Sequence, residues 1–277
     1  TVANAIVNLI DEPGKVSSGS ILMGETNISE NPETIVQYRG KKIGLIFQDP
    51  QTSLNPILTI GEQLIETIQT HLNINTDEAK NRAINLLKEV GIKEAEKRFS
   101  NYPHQFSGGM RQRVVISLAL CCEPELLIAD EPTTALDVSI QSQILELIKK
   151  LTKERNLAVI LITHDMGVVA RFCERVNVMY GGYIVEQADV KTLFSNPTHP
   201  YTAALLAATP DPSQSKQVLQ AIPGIQRTRV GMQPNICPFI DRCAFSKTEC
   251  KTPPVPVEIV KGHKTTCHFA GQLDLSV

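Results

Sequence analysis

The sequence predicts an α/β fold built on a mostly parallel sheet, and three features predict it. "ELLIAD" (125–130) and "AVILIT" (158–163) are short apolar runs of the kind that form strands buried on both faces. Between and before them lie stretches whose apolar residues recur at the helical period. Strands alternating with amphipathic helices give a parallel sheet with helices packed on it. A chain of 277 residues with 42% hydrophobic content can bury a sizeable core, as one large domain or two smaller ones.

Charge and cysteine usage narrow the class. With 27 basic against 29 acidic residues there is no global field to draw the chain onto nucleic acid or an anionic membrane, so any such partner must be recognised locally. Apolar runs such as "LAVILIT" fall far short of the roughly 20 residues that a membrane-spanning helix needs. Seven cysteines, an odd number, argue against a secreted disulfide framework. Three of them, Cys121, Cys122 and Cys173, sit in apolar or helical contexts, and the expected compartment is the cytoplasm.

The elements follow in order. "TVANAIVNLI" places Val2, Ala5, Ile6, Leu9 and Ile10 at helical spacing. "GSILMGETNI" and "KKIGLIFQDP" read as strands bounded by Gly, Asn and Pro. From Thr59 to Val90 the period lengthens, giving the helices "IGEQLIETI" and "EAKNRAINLLKEV", the second stopped by Gly91. With "RQRVVISLALCC" these form a helical insert over about 52–122. Asp137 can cap "VSIQSQILELIKKL", whose Ile140, Ile144, Leu147, Ile148 and Leu151 share a face. "VNVMYGGYIVEQ" closes as a hairpin around Gly181 and Gly182. At Asn196 the composition turns Pro- and Cys-rich, which sets an expected boundary between 1–195 and 196–277.

The chemistry gathers at strand ends. Ligands of parallel α/β sheets bind outside the carboxyl ends of the strands, where Asp130, Glu131 and His164 fall. One acid can help hold a hydrated Mg²⁺ while the next positions or deprotonates a water, a division of labour suited to nucleotide hydrolysis. Taken alone, "DE" is better explained as two exposed loop acids capping a turn. "FSGGMRQR" (106–113) sets a serine and two glycines before a helix, where bare N–H groups and the positive helix end suit a phosphate, although a lone SGG is usually just a flexible helix start. Gln48 in "IFQDP" ends a strand and can reach a metal or a water; alone it is an ordinary loop residue. His164 can contact a terminal phosphate, though a lone His is usually structural. Each signal is weak and the ordered set is strong.

That ordered set resembles the nucleotide-binding subunits of ABC transporters, and the resemblance runs essentially from end to end. Gln48 matches the Q-loop, "SGGMRQ" with Ser107, Gly108, Gly109 and Gln112 the signature, "LLIADE" the Walker B segment, "ALD" ending at Asp137 the D-loop, and His164 the switch histidine. "IFQDPQTSLNPILTIGEQL", "NPTHPYTAALLAATP" and the cysteine-bearing tail narrow it to the dipeptide/oligopeptide importers, whose nickel-importing relatives share parts of the pattern.

The resemblance implies a RecA-like ABC domain with a helical subdomain and a small C-terminal extension, binding ATP and Mg²⁺. It implies that Asp130 and Gln48 attend the metal, Glu131 is the general base and His164 braces the γ-phosphate. Ser107, Gly108 and Gly109 would serve a nucleotide on a facing ATPase, identical or paralogous, so that hydrolysis needs a dimer. The implied partners are two membrane permease subunits and, indirectly, an extracytoplasmic peptide-binding protein, with no nucleic acid; the implied place is the cytoplasmic face of the membrane, peripherally. Phe106 stands where the family often has Leu, a change of apolar packing.

One departure is large. G-x-x-x-x-G-K-[ST], the loop whose backbone wraps the phosphates, occurs nowhere in the 277 residues. "TVANAIVNLI" resembles the helix that follows that loop, so the expectation is an N-terminally truncated chain that binds ATP weakly or not at all and lacks a central strand. In the tail, Cys237, Cys243, Cys250 and Cys267 are separated by five, six and sixteen residues and supply four thiolates, enough for tetrahedral zinc or a [4Fe–4S] cluster. Spacing does not choose the metal; the resemblance favours the cluster, and reduced tail cysteines are the plain alternative. His263 and His268 are spare ligands, expected at the surface. Competing functions are an ABC-type ATPase acting on nucleic acid or ribosomes, against which the absence of long coiled coils or of two ATPase halves argues, and a non-catalytic metal-bearing scaffold.

Overall fold

The computed structural model describes residues 1–50, 52–134, 136–209, 221–225 and 235–275; Gln51, Ala135 and Pro210, within the strings quoted above, lie outside the described residues. The chain divides into two compact units, Thr1–His164 and Asp165–Val277.

In the first unit, helix α1 (Val2–Ile6) is followed by the two-residue strands β1 (Leu22–Met23) and β2 (Thr26–Asn27), an antiparallel hairpin, and by α2 (Pro32–Tyr38), capped by Asn31. The α1 helix is shorter than its periodicity suggests and buries Ala3, with Val7 just beyond it, while Val2 and Leu9 are exposed. Strand β3 (Ile43–Ile46) leads to α3 (Ile60–His71), α4 (Thr76–Glu89), α5 (Ala95–Arg98) and α6 (Gly108–Leu120). A reciprocal Thr59–Glu62 capping box starts α3, satisfying two of the N–H groups a helix start leaves bare. Then come β4 (Leu126–Asp130), α7 (Val138–Arg155) and β5 (Ala158–Ile162).

Strands β3, β4 and β5 form a parallel sheet in that order, with Ile43 facing Leu126 and Asp130 facing Ile162 at the ends of the two ladders. Side chains alternate across a strand, and β4 uses both faces: Leu127 and Ala129 join the core under α3–α7, while Ile128 packs with Ala3, Val7, Ile35 and Ile43 on the other side. Such double coverage is what makes "LLIA" continuously apolar. The same reading fails for β5. Val159 and Leu161 pack on the larger core, but Ala158 is exposed and Ile160 is 38% exposed, because they project from the opposite face, which is not covered at β5 among the described residues. On α7, Ile144, Ile148 and Leu151 are buried and Ile140 and Leu147 pack partly, as the period requires. Asp137 holds the N-cap position of α7 without a side-chain cap hydrogen bond.

The second unit opens with α8 (Met166–Phe172) and the antiparallel pair β6 (Arg175–Tyr180) and β7 (Tyr183–Asp189), turned by Gly181 and Gly182 at φ 57° and 88°. Both values are left-handed, a conformation open to glycine at no steric cost. Helices α9 (Val190–Ser195) and α10 (Pro200–Ala207) follow, and the tail adds β8 (Val257–Val260) and β9 (His263–Thr265) in the sheet order β6-β7-β9-β8. The division at His164 thus lies well ahead of the composition change at Asn196. The reason is pairing: β9 of the tail adds to β7, and Tyr180, Tyr201 and Phe239 meet ring to ring at 4.7–5.4 Å.

Candidate active site

Parallel pairing puts the carboxyl ends of β3, β4 and β5 side by side, and one side chain leaves each end. Gln48 stands two residues past β3, Glu131 immediately past β4 and His164 two past β5. The three meet. Gln48 Nε2 donates to Glu131 Oε2 at 2.8 Å, and His164 Nδ1 lies 3.1 Å from Glu131 Oε1. The Glu131 amide donates to the Ile162 carbonyl at 2.9 Å, extending the ladder one residue beyond β4. At φ 46° the Glu131 backbone is left-handed, which costs a non-glycine residue roughly 1–2 kcal/mol and turns the chain out of the sheet into Pro132.

Thr134 completes the hub, and the sequence motifs do not single it out. Its Oγ1 donates to Glu131 Oε2 at 2.7 Å, and its amide donates to the Glu131 carbonyl at 3.3 Å. A hydroxyl residue three places after an acid, with a proline between, is the local signal that marks it. The Thr134 hydroxyl, then the His164 contact, hold the Glu131 carboxyl below its ordinary pKa against the opposing effect of burial. Glu131 is 23% exposed and His164 75%, so the hub opens to solvent on the histidine side. An ionised carboxylate with one amide, one hydroxyl and one imidazole around it can accept a proton from a water.

The remaining first-unit candidates are placed around this hub. Asp130 is the last residue of β4, beside Ile162 in register. Ser107 caps α6, accepting from Met110 N at 3.4 Å, with Gly108 and Gly109 in the first turn. The two glycines differ. A Cβ on Gly109 would lie 2.8 Å from Ile140 Cγ2, so its absence lets the start of α6 approach α7; a Cβ on Gly108 would meet Leu136 at an ordinary 3.7 Å. Gln112 is 1% exposed and neither amide atom has a partner among the described residues, which places it out of reach of solvent. Phe106 is buried and packs in the larger core, as expected of an apolar replacement.

The tail cysteines come together in the second unit. Cys237, Cys243, Cys250 and Cys267 line one recess with His199 and Phe239, and the Cys237 amide donates to the Cys250 carbonyl at 2.9 Å. Burial, reinforced by the neighbouring thiols, pushes Cys243 up to about 11. In kind and number these donors suit a metal. The recess has about 10 Å³, space for about one water, and among the described residues no three His, Cys, Asp or Glu groups are placed to hold a metal ion.

His263, expected at the surface, is 2% exposed. Its Nε2 faces Glu186 Oε1 at 2.8 Å, because the inward face of β9 meets a carboxylate from the middle of β7. Glu186 also accepts from the Thr198 amide and hydroxyl at 2.7 and 2.9 Å and from the His199 amide at 3.0 Å. Nothing in the string "NPTHP" by itself reveals this role.

Residues 1–134 match the ABC transporter family, and residues 185–250 match the C-terminal region of oligopeptide/dipeptide transporters. A probable peptide ABC transporter ATP-binding protein of Sinorhizobium fredii is 46% identical over 92% of this chain and 77% of its own length. The dipeptide transport ATP-binding protein DppD of Escherichia coli is 42% identical over 96% of this chain and 81% of its own. Among solved structures, the dimeric ABC transporter cassette MJ0796 superposes with a TM-score of 0.58 at 33% identity, covering 68% of this chain and 79% of the cassette. No helix among the described residues is long and apolar enough to cross a membrane. The chain belongs to the ATP-binding proteins of the ABC transporter family, in its dipeptide/oligopeptide branch.

Proposed function

We propose that the chain is the ATP-hydrolysing subunit of an importer of dipeptides or oligopeptides, working as one of a pair of ATPases at the cytoplasmic face of separate membrane permeases. The observation that carries this reading is the meeting of Gln48 and His164 on Glu131 at three adjacent strand ends. In the reading Glu131 takes the proton of the attacking water, a role that typically contributes about 10² to 10⁴ in rate. His164 steadies the carboxylate and the terminal phosphate, and Gln48 links the site to the metal that Asp130 helps to hold. When bound, Mg²⁺ supplies charge stabilisation on the transferring phosphoryl group. Ser107, Gly108 and Gly109 serve the nucleotide of the facing ATPase; their place at the cap and first turn of α6 supports this, and the tight packing of Gly109 against Ile140 gives that glycine a structural reason as well.

The four tail thiols are the proposed seat of a [4Fe–4S] cluster or Zn²⁺, supported by their gathering at one recess. Anaerobic purification followed by elemental analysis should find iron or zinc in stoichiometric amount, and the absence of both overturns that part.

Vesicles containing the permeases and the full-length chain test the transport reading. Mg-ATP should drive uptake of di- and oligopeptides supplied with their binding protein. Uptake of nickel instead would move the assignment to the nickel branch. ATP turnover stimulated by ribosomes or nucleic acid, with no uptake, would overturn transport altogether.

A further inference from the structure

The geometry assigns Thr134 as a positioning residue for Glu131: we infer that its hydroxyl fixes the carboxylate at the end of β4 with one oxygen left to water and histidine. The inference rests on the reading of Glu131 as the base and goes beyond it.

The two oxygens of Glu131 are used unequally. Oε2 takes both the Thr134 hydroxyl at 2.7 Å and the Gln48 amide at 2.8 Å, whereas Oε1 has the His164 ring at 3.1 Å. His164 is 75% exposed, so its contact is the one that solvent can compete for. Gln48 arrives across 83 positions of sequence, from another strand. Of the three, Thr134 alone holds Glu131 from its own turn, through the amide bond to the Glu131 carbonyl as well as through the hydroxyl. A short O–H···O⁻ bond is among the stronger hydrogen bonds, and here it fixes the direction of a side chain whose backbone is already bent into the left-handed region. The result is a carboxylate with one oxygen saturated and one presented, which is the arrangement a base needs if a single water is to find it in one geometry. Thr134 does not touch the reacting atoms; it acts through Glu131.

The test is single-turnover ATP hydrolysis by the full-length chain in four forms: Thr134→Val, Thr134→Ser, Glu131→Gln and the Thr134→Val/Glu131→Gln double variant, each with its Mg-ATP affinity. Thr134→Val should lower the hydrolysis rate roughly tenfold to hundredfold, the range for losing a hydrogen bond to a charged group, with affinity held. Thr134→Ser, which keeps the hydroxyl, should return most of the loss, and Thr134→Val should add nothing in the chain that already carries Glu131→Gln. Thr134→Ala replaces the valine form if that does not fold. Unchanged hydrolysis in Thr134→Val beside a disabled Glu131→Gln overturns the Thr134 inference alone. Unchanged hydrolysis in Glu131→Gln overturns the base reading and this inference with it. A loss in Thr134→Val that persists undiminished in the double variant, relative to Glu131→Gln alone, marks a structural effect and also overturns it.

Discussion

The two units each place a glutamate among a threonine hydroxyl and a histidine ring, and they use the same chemistry for opposite ends. Glu131 stands at a strand end, 23% exposed, with a histidine that is 75% exposed. Glu186 stands in the middle of β7 with its side chain wholly buried, facing a His263 side chain 2% exposed. A charge removed from water is expensive unless it is paired and fully hydrogen-bonded, and Glu186 is: four donors, from Thr198, His199 and His263, occupy its two oxygens. Partners that cannot be exchanged make a clamp, tying the loop before α10 and β9 to one strand. Partners that water can replace make a reactive group. The difference between the hubs lies in where each glutamate stands along its strand, not in the residues chosen.

The comparison breaks most visibly if Glu186 is removed. Glu186→Ala should destabilise the second unit by about 3–5 kcal/mol, because it leaves a buried imidazole and two backbone N–H groups without their acceptor. Denaturant unfolding followed by the tyrosine signal of Tyr180 and Tyr201 measures it; a loss under about 1 kcal/mol would show that the cluster is not a clamp.

A smaller effect comes from His199, whose pKa burial lowers to about 4 although the charge of Glu186 pushes it back up. A histidine depressed in the fold but ordinary when unfolded binds fewer protons in the native state. Its stabilising contribution is therefore complete above about pH 6.5 and is lost as pH falls toward 4, by roughly 3 kcal/mol at the limit. Melting temperatures between about pH 7.5 and 4.5 should decline, and His199→Gln should flatten that decline; an equal slope in the variant would contradict the assignment. The smallest effect belongs to the open hub. His164→Ala should change stability by no more than about 0.5 kcal/mol, since a solvent-exposed polar contact contributes little, and a loss comparable with that of Glu186→Ala would erase the distinction.

Most of this fold can be read from period and punctuation. "ELLIAD" is a central strand because both its faces are covered, and the Gly-Gly pair turns the β6–β7 hairpin as its left-handed backbone allows. What sequence reading misses is neighbourhood. "AVILIT" has the composition of a buried strand, but composition carries no information on whether a packed layer covers its second face. His263 reads as a surface residue because nothing local to "GHKTT" reveals a carboxylate 77 positions away. The candidate-site residues lie far apart in the chain and are legible as an ordered set. Thr134 is not, although it stands three residues from Glu131, since a threonine in a turn is unremarkable until its hydroxyl is seen on a carboxylate. The tail cysteines are found by spacing, and the fold gathers them at one recess.

The central claim is that Glu131 moves a proton, and the most direct measurement sets Mg-ATP binding beside hydrolysis in the full-length Glu131→Gln chain. Binding should persist near the unaltered level while turnover falls by about 10² or more, the share of a general base. Turnover within about a factor of two of the unaltered chain, with binding intact, would contradict the account.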